Sequence, residues 1–192
     1  MKKIDNQDCM DIWGQIRTGS RPAFNKLFNA YIQILFDYGC KFTTDEQLVE
    51  DCIQELFVDL WRKRTQIQIN HSIKHYLLLS LRRLLFRRLK SLRSRKQEPI
   101  EGIEAEMFDL ELSIEEHWIA RQLVEIQKNK LAQAIQQLST RQKEAIFLRY
   151  YQEMKYEEIA VMMAISVAAV YKLVSVGVKQ LRKRLGKGAL GL

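Results

Sequence analysis

The sequence predicts an all-α protein: two small helical domains joined by a flexible acidic linker. Three observations predict it. Helix breakers are scarce, with two prolines and eight glycines in 192 residues. Apolar residues recur three and four apart over long stretches, without the sustained alternation of half-buried strands. Charge also reverses abruptly in mid-chain. "RRLLFRRLKSLRSRK", Arg82 to Lys96, carries eight basic residues and no acid, whereas "QEPIEGIEAEMFDLELSIEEH", Gln97 to His117, carries eight acids and no Lys or Arg. Pro99 and Gly102 lie in the acidic stretch, so the reversal marks a linker. The expected units are residues 1–96, a linker over 97–113, and residues 114–192.

The elements follow in order. Phe24, Leu27, Phe28, Tyr31 and Leu35 repeat at helical spacing, and Gly39 follows as a C-terminal stop. Val49, Cys52, Ile53, Leu56, Phe57 and Leu60 form a second apolar stripe, with Glu50, Asp51, Gln54, Glu55 and Asp59 off it. After the polar break "RKRTQIQINHS", a third helix runs from Ile73 to about Ser94, its Tyr76, Leu77, Leu81, Leu84, Leu85 and Leu89 interleaved with arginines. In the second half, Ile114 to Leu138 reads as a long amphipathic helix. Ser139 or Thr140 then caps a helix that opens with Lys143 and Glu144 in its first turns.

Composition bounds the function. At 47% hydrophobic the chain can bury a core, and a net charge of +8 suits a polyanionic partner. "MKKIDNQDCMDIW" has no apolar stretch long enough for a secretory signal, and no run of about 18 apolar residues spans a membrane. Cys9, Cys40 and Cys52 lack paired spacing, as expected of reduced thiols in a cytoplasm. From Ile159 onward there is no acid, only Lys172, Lys179, Arg182, Lys183, Arg184 and Lys187. Each half therefore ends in a basic surface. The acidic connector reads as a solvated tether, though its charge also suits it to lie on either surface.

The last segment, "KYEEIAVMMAISVAAVYKLVSVGVKQLRKRL", has the outline of a helix-turn-helix. Glu157 and Glu158 favour a helix start, Ala164 and Ile165 make the turn, and Ser166 caps the second helix. At 100° per residue, Val170, Leu173, Val174, Gly177, Val178 and Leu181 share one face. Ala168, Lys172, Ser175 and Lys179 centre the other, flanked by Tyr171 and Arg182 on one side and Ala169 and Val176 on the other. The exposed face is slim and basic. Its Ala and Val suit thymine methyls, and its Lys and Ser suit phosphates or base acceptors.

"LSTRQKEAIFLRYYQEMKYEEIAVMMAISVAAVYKLVSVGVKQLRKRL" resembles region 4 of bacterial RNA polymerase sigma factors, most closely the two-domain extracytoplasmic-function group. "VEDCIQELFVDLW" resembles region 2 of the same group, whose D-x-x-Q-E-x-F-x-x-L-W pattern falls on Asp51, Gln54, Glu55, Phe57, Leu60 and Trp61. The resemblance covers roughly residues 20 to 185, and two motifs in the family's order are far more specific than either alone.

The resemblance implies roles for named positions. Asp51, Gln54 and Glu55 would dock on the coiled coil of the polymerase largest subunit, with region 4 meeting the flap. Residues 62–71 and the helix from Ile73 would open the minus-10 element. There Tyr76 is a candidate stacking surface, although a core role suits it better, and Arg82, Arg83, Arg87 and Arg88 are candidate phosphate contacts. Ala168, Ala169, Tyr171, Lys172, Ser175 and Lys179 would read the minus-35 element. Promoter DNA, core polymerase and an anti-sigma factor are the implied partners. Membrane insertion and a cofactor are not expected.

Departures from the family pattern are local. Ala164 and Glu153 stand where many relatives have Gly, and Lys155 stands where a Ser or Thr usually caps the first helix. Each is expected to cost about 1 kcal/mol without removing the fold. Leu173 and Val176 replace the arginines common on the recognition helix, and Arg83 and Arg87 align where relatives often have Asn and Asp. No particular promoter sequence is therefore implied.

His71 and His75, at i and i+4, are more readily a surface or core pair than metal ligands with Cys40 or Cys52, since no CxxC accompanies them. No P-loop, GxSxG or HExxH is present, so no catalytic centre is expected. Two other classes remain open. A response-regulator or quorum-sensing DNA-binding protein would carry a similar helix-turn-helix behind an α/β domain. A membrane-surface protein would use the basic helix from Ile73 to Lys96.

Overall fold

The computed structural model describes residues 6–69, 72–95, 107–110 and 125–185. Among them are eight α-helices and no strand. The chain divides into two units, Met1–Ile103 and Glu104–Leu192.

In the first unit, α1 (Asn6–Arg17), α2 (Arg21–Gly39), α3 (Glu46–Arg62) and α4 (Ile73–Arg95) pack as a bundle. The first of these was not among the expected elements. It buries Cys9, Ile12, Trp13 and Ile16, spaced i, i+3, i+4 and i+7, against α2 and α4. Its Cys9 Sγ meets the Tyr31 hydroxyl of α2 at 3.2 Å.

Helix α2 begins where the Ser20 hydroxyl accepts the Ala23 N–H at 3.3 Å, with Pro22 in the first turn. In α3 the Asp45 carboxylate accepts the Leu48 N–H at 3.0 Å. Helix α2 does end at Gly39, but not through a left-handed glycine, since Gly39 is not among the residues with positive φ. The glycine answers a close approach instead: a Cβ there would lie 2.5 Å from Val49 Cγ1 of α3.

The apolar members of the D-x-x-Q-E-x-F-x-x-L-W pattern build this core. Leu60 is fully buried, and Phe57 packs edge-on against Phe24 and Phe28, with ring centroids 5.8 and 4.9 Å apart. The Trp61 ring meets Phe24 at 5.1 Å. Such edge-to-face pairs add to the area they bury.

The second unit contains α5 (Glu125–Gln136), α6 (Thr140–Ile146), α7 (Tyr156–Met163) and α8 (Val167–Leu185). The start of the long helix expected from Ile114 lies outside the described residues. Ser139, rather than Thr140, caps α6 in a reciprocal box: its hydroxyl accepts the Gln142 N–H at 3.3 Å, and Gln142 Oε1 accepts the Ser139 N–H at 2.9 Å. Helix α6 widens into a π-helical turn, Phe147–Tyr151, closed by the Gln152 N–H on the Phe147 carbonyl at 3.0 Å. Helix α8 packs on α5, α6 and α7. It comes close to α6 at Gly177, where a Cβ would lie 2.7 Å from Ile146 Cδ1.

The expected linker is not free along its whole length. Phe108 and Leu110 are buried in the second unit, the Phe108 ring 5.7 Å from Phe147. Asp109 pairs with Lys143 at 2.8 Å. The apolar pair, flanking one acid that meets a nearly buried lysine, anchors a segment that its overall charge had marked as tether. Among the described residues no single helix is long and apolar enough to cross a membrane.

Candidate functional site

Helices α7 and α8 are set at 104° to each other, the steep crossing of a helix-turn-helix. The turn depends on Ala164, which sits in the left-handed region at φ 53° and ψ 44°. This lets the Ile165 N–H reach back to the Ala160 carbonyl at 3.1 Å. Glu153, the other position where the family resemblance implies Gly in many relatives, lies at φ 56° before α7. The two substitutions thus retain the backbone shape a glycine would take and bear its steric cost. Lys155 stands at the N-cap of α7. Its N–H donates to Glu158 Oε2 at 2.9 Å, which supplies half of a capping box. An ammonium has no lone pair to supply the other half. Ser166 caps α8, its hydroxyl accepting the Ala169 N–H at 3.1 Å.

The wheel drawn for α8 matches its burial. Val170, Val174, Gly177 and Leu181 face the core, while Ala168, Lys172, Ser175 and Lys179 are exposed. Ala169 is half-buried at the edge. The Ser175 hydroxyl donates to the Lys172 carbonyl at 3.3 Å, leaving its lone pairs as acceptors toward a ligand. Tyr171 is 52% exposed but not loose. Its ring lies parallel to Tyr156 at 3.9 Å, and the Arg149 guanidinium covers Tyr156 from 4.9 Å. Arg149 is itself fixed by donating to the Met154 carbonyl at 2.9 Å. The sequence reading missed Tyr156 and Arg149; an aromatic at the first position of the leading helix was the available signal.

In the first unit, the outer face of α3 exposes Asp51, Gln54 and the 48%-exposed Val58. Glu55 is more enclosed and turns toward α4. Its Oε1 accepts from Arg87 Nη2 at 2.6 Å and its Oε2 from Arg88 Nη2 at 2.8 Å. Residues assigned separately to polymerase and to DNA therefore meet in one ion triad. The hydrogen bond that Arg88 donates to the Glu55 carboxylate pushes the Arg88 pKa above its ordinary value. Burial pushes the nearby Cys52 thiol up to about 11, against the pull of Arg88.

Arg83 is exposed and Tyr76 half-buried. Arg82 requires a correction. It is 6% exposed, with its guanidinium 4.5 Å over the Phe86 ring, because it shares the inward stripe of Leu78, Phe86 and Leu89. It is therefore not open to a phosphate. In the loop after α3, Arg64 donates to the Trp61 carbonyl at 2.8 Å and lies over the Trp61 ring at 4.5 Å, pinning the loop's start. His71 lies outside the described residues.

Two family models match the chain: Sigma-70 region 2 over residues 27–95 and Sigma-70, region 4 over residues 128–181. Among solved structures, it is similar to the sigma factor RpoE in complex with the anti-sigma factor NepR from Bartonella quintana. That match has 17% identity and a TM-score of 0.58, covering 84% of this chain and 96% of that one. It is also similar to CnrH in complex with the cytosolic domain of CnrY, at 19% identity and a TM-score of 0.57, covering 92% of this chain and 96% of that one. At these identities the structural likeness speaks for a shared fold. No curated protein is significantly similar in sequence.

Proposed function

This chain belongs to the sigma-70 family, with region 2 at 27–95 and region 4 at 128–181, and is a sigma factor; we propose that it is an alternative one of the two-domain extracytoplasmic-function group. It binds core RNA polymerase and directs it to a particular set of promoters. The observation that carries this reading is the presence of both regions, in order, on two separate helical units of one short chain.

The proposed roles follow from exposure and charge. Asp51 and Gln54 present acid and amide on the outer face of α3, beside exposed Val58, to a basic helix of the polymerase largest subunit. Arg83, Arg87 and Arg88 give α4 a cationic outer face for the phosphates of the minus-10 strand. Tyr76, half-buried at the start of α4, is better suited to support that face than to stack freely on a base. In the second unit Lys172 and Lys179 hold phosphates, while Ala168, Ala169, Tyr171 and Ser175 offer low, partly apolar contacts to base edges at minus-35.

Strand opening needs no nucleotide hydrolysis on this chain, because capturing unstacked bases trades duplex stacking for protein contacts. The polymerase performs the chemistry, so the protein acts where the polymerase is, in the cytoplasm. An anti-sigma factor covering these surfaces is the expected negative regulator; the similar RpoE was solved in complex with the anti-sigma factor NepR.

The test is reconstitution. Core polymerase plus the purified chain is expected to give discrete run-off transcripts on genomic fragments that core alone does not produce. Identical transcript patterns with and without the chain would overturn the reading.

A further inference from the structure

Tyr171 lies near the start of α8, the end of a recognition helix whose side chains meet base edges. It is exposed, yet its ring is not free to turn. The Tyr156 ring lies flat against one of its faces, with centroids 3.9 Å apart and planes at 11°. Tyr156 opens α7 and is half-buried, with the Arg149 guanidinium 4.9 Å from its ring centroid. Arg149 is held in turn by the loop before α7. It donates to the carbonyl of buried Met154 at 2.9 Å, and the Met154 N–H donates to the Leu148 carbonyl at 3.0 Å. A chain of fixed groups therefore runs from the buried loop to the outer face of α8.

What stays open on Tyr171 is its other ring face and its edge. Exposed Ala168, three residues earlier, adjoins it on the helix surface. Together they make a low apolar patch among basic neighbours. In the major groove the 5-methyl group of thymine is the apolar feature that such a patch matches. A tyrosine free to rotate would lose that freedom on binding; the stack removes it during folding, so binding does not bear the cost. A ring locked by its neighbours also cannot shift to follow a base that lacks the methyl group, and this turns contact into discrimination.

We propose that Tyr171 reads a thymine methyl group in the minus-35 element, and that Tyr156 is the positioning residue that holds its ring for that contact. The proposal rests on the minus-35 role given above for α8. It adds the chemical group that is read and a residue outside the recognition helix on which the reading depends.

The test uses the full chain bound to core polymerase and a duplex promoter fragment recovered by its run-off transcription. Each thymine of the minus-35 element, on either strand, is replaced in turn by uracil, which lacks only the methyl group. Binding is read by competition against the unmodified fragment. For the wild-type complex one replacement is expected to weaken binding about 4-fold, the worth of one buried methyl group. Tyr171→Leu should abolish the difference between thymine and uracil at that position. Tyr156→Leu and Tyr156→Met, which remove the flat ring, should abolish it too and weaken binding to the unmodified fragment about 3- to 10-fold, the cost of ordering one side chain. Tyr156→Phe keeps the ring and should keep the discrimination.

The pattern across variants separates positioning from other roles. If Tyr156 only touches the DNA backbone or only supports the fold, its variants will weaken binding while leaving the thymine-to-uracil ratio at its wild-type value. That result would overturn the proposal, as would loss of discrimination in Tyr156→Phe or a wild-type complex indifferent to every uracil. Two substitutions at Tyr156 are used so that a folding failure in one leaves the other to decide. Failure of the wild-type chain to bind core or to yield any promoter fragment would instead overturn the sigma-factor reading itself.

Discussion

Replacing Ala164 by glycine should stabilise the second unit. Ala164 is exposed at φ 53° and ψ 44°, so removing its methyl group gives up little packing. An L-residue in that region bears about 1–2 kcal/mol of strain from Cβ against the following carbonyl. Glycine relieves that strain but adds about 0.4–1 kcal/mol of unfolded-chain entropy. The net gain is therefore about 1 kcal/mol, or about 4–8 °C in the midpoint of a unit this size. The control is the same chemical change at Ala132, half-buried inside α5, where glycine should cost about 1 kcal/mol. Hydrogen exchange by mass spectrometry on peptides from α7 and α8 would read both. Destabilisation by Ala164→Gly, or a shift of the same sign at Ala132, would refute the argument that the turn stores backbone strain.

Three further outcomes follow from the same geometry. Lys155→Ser completes the capping box that Glu158 already half supplies and should add about 1 kcal/mol to stability in urea unfolding. Gly39→Ala drives a methyl into the stiff, β-branched Val49 and should cost about 1–3 kcal/mol, read by thermal melting of the first unit. Lys172→Ala combined with Lys179→Ala should weaken promoter binding, flatten the salt slope by about 2 and leave core polymerase binding unchanged in a pull-down.

What could be read in the sequence was what repeats along one helix. The pattern around Asp51 separated into buried Phe57 and Leu60 and exposed Asp51 and Gln54 as helical spacing required. The α8 wheel likewise separated Val170 and Val174 from Lys172 and Ser175. Even the positive-φ positions, Ala164 and Glu153, fall where the family resemblance implies glycine in many relatives.

What was hidden depends on the meeting of distant residues. Glu55 and Arg87 are 32 positions apart, and no periodicity within either helix announces their pairing. The run of basic residues on α4 reads as one surface until the 3.6-residue period turns Arg82 inward with Leu78 and Phe86. Charge also hid structure in the acidic segment, where Phe108 and Leu110 find a core while their neighbours suggest solvent. Helix α1 was legible from Cys9, Ile12, Trp13 and Ile16, but a polar N-terminus draws the eye to targeting signals rather than to packing.

The most direct measurement of the central claim is complex formation between the purified chain and bacterial core RNA polymerase, followed by gel filtration at low and moderate salt. The account predicts co-elution of the wild-type chain with core, and its loss when Asp51→Arg reverses charge on the exposed face of α3. Separate elution of the wild-type chain at both salt concentrations would contradict it.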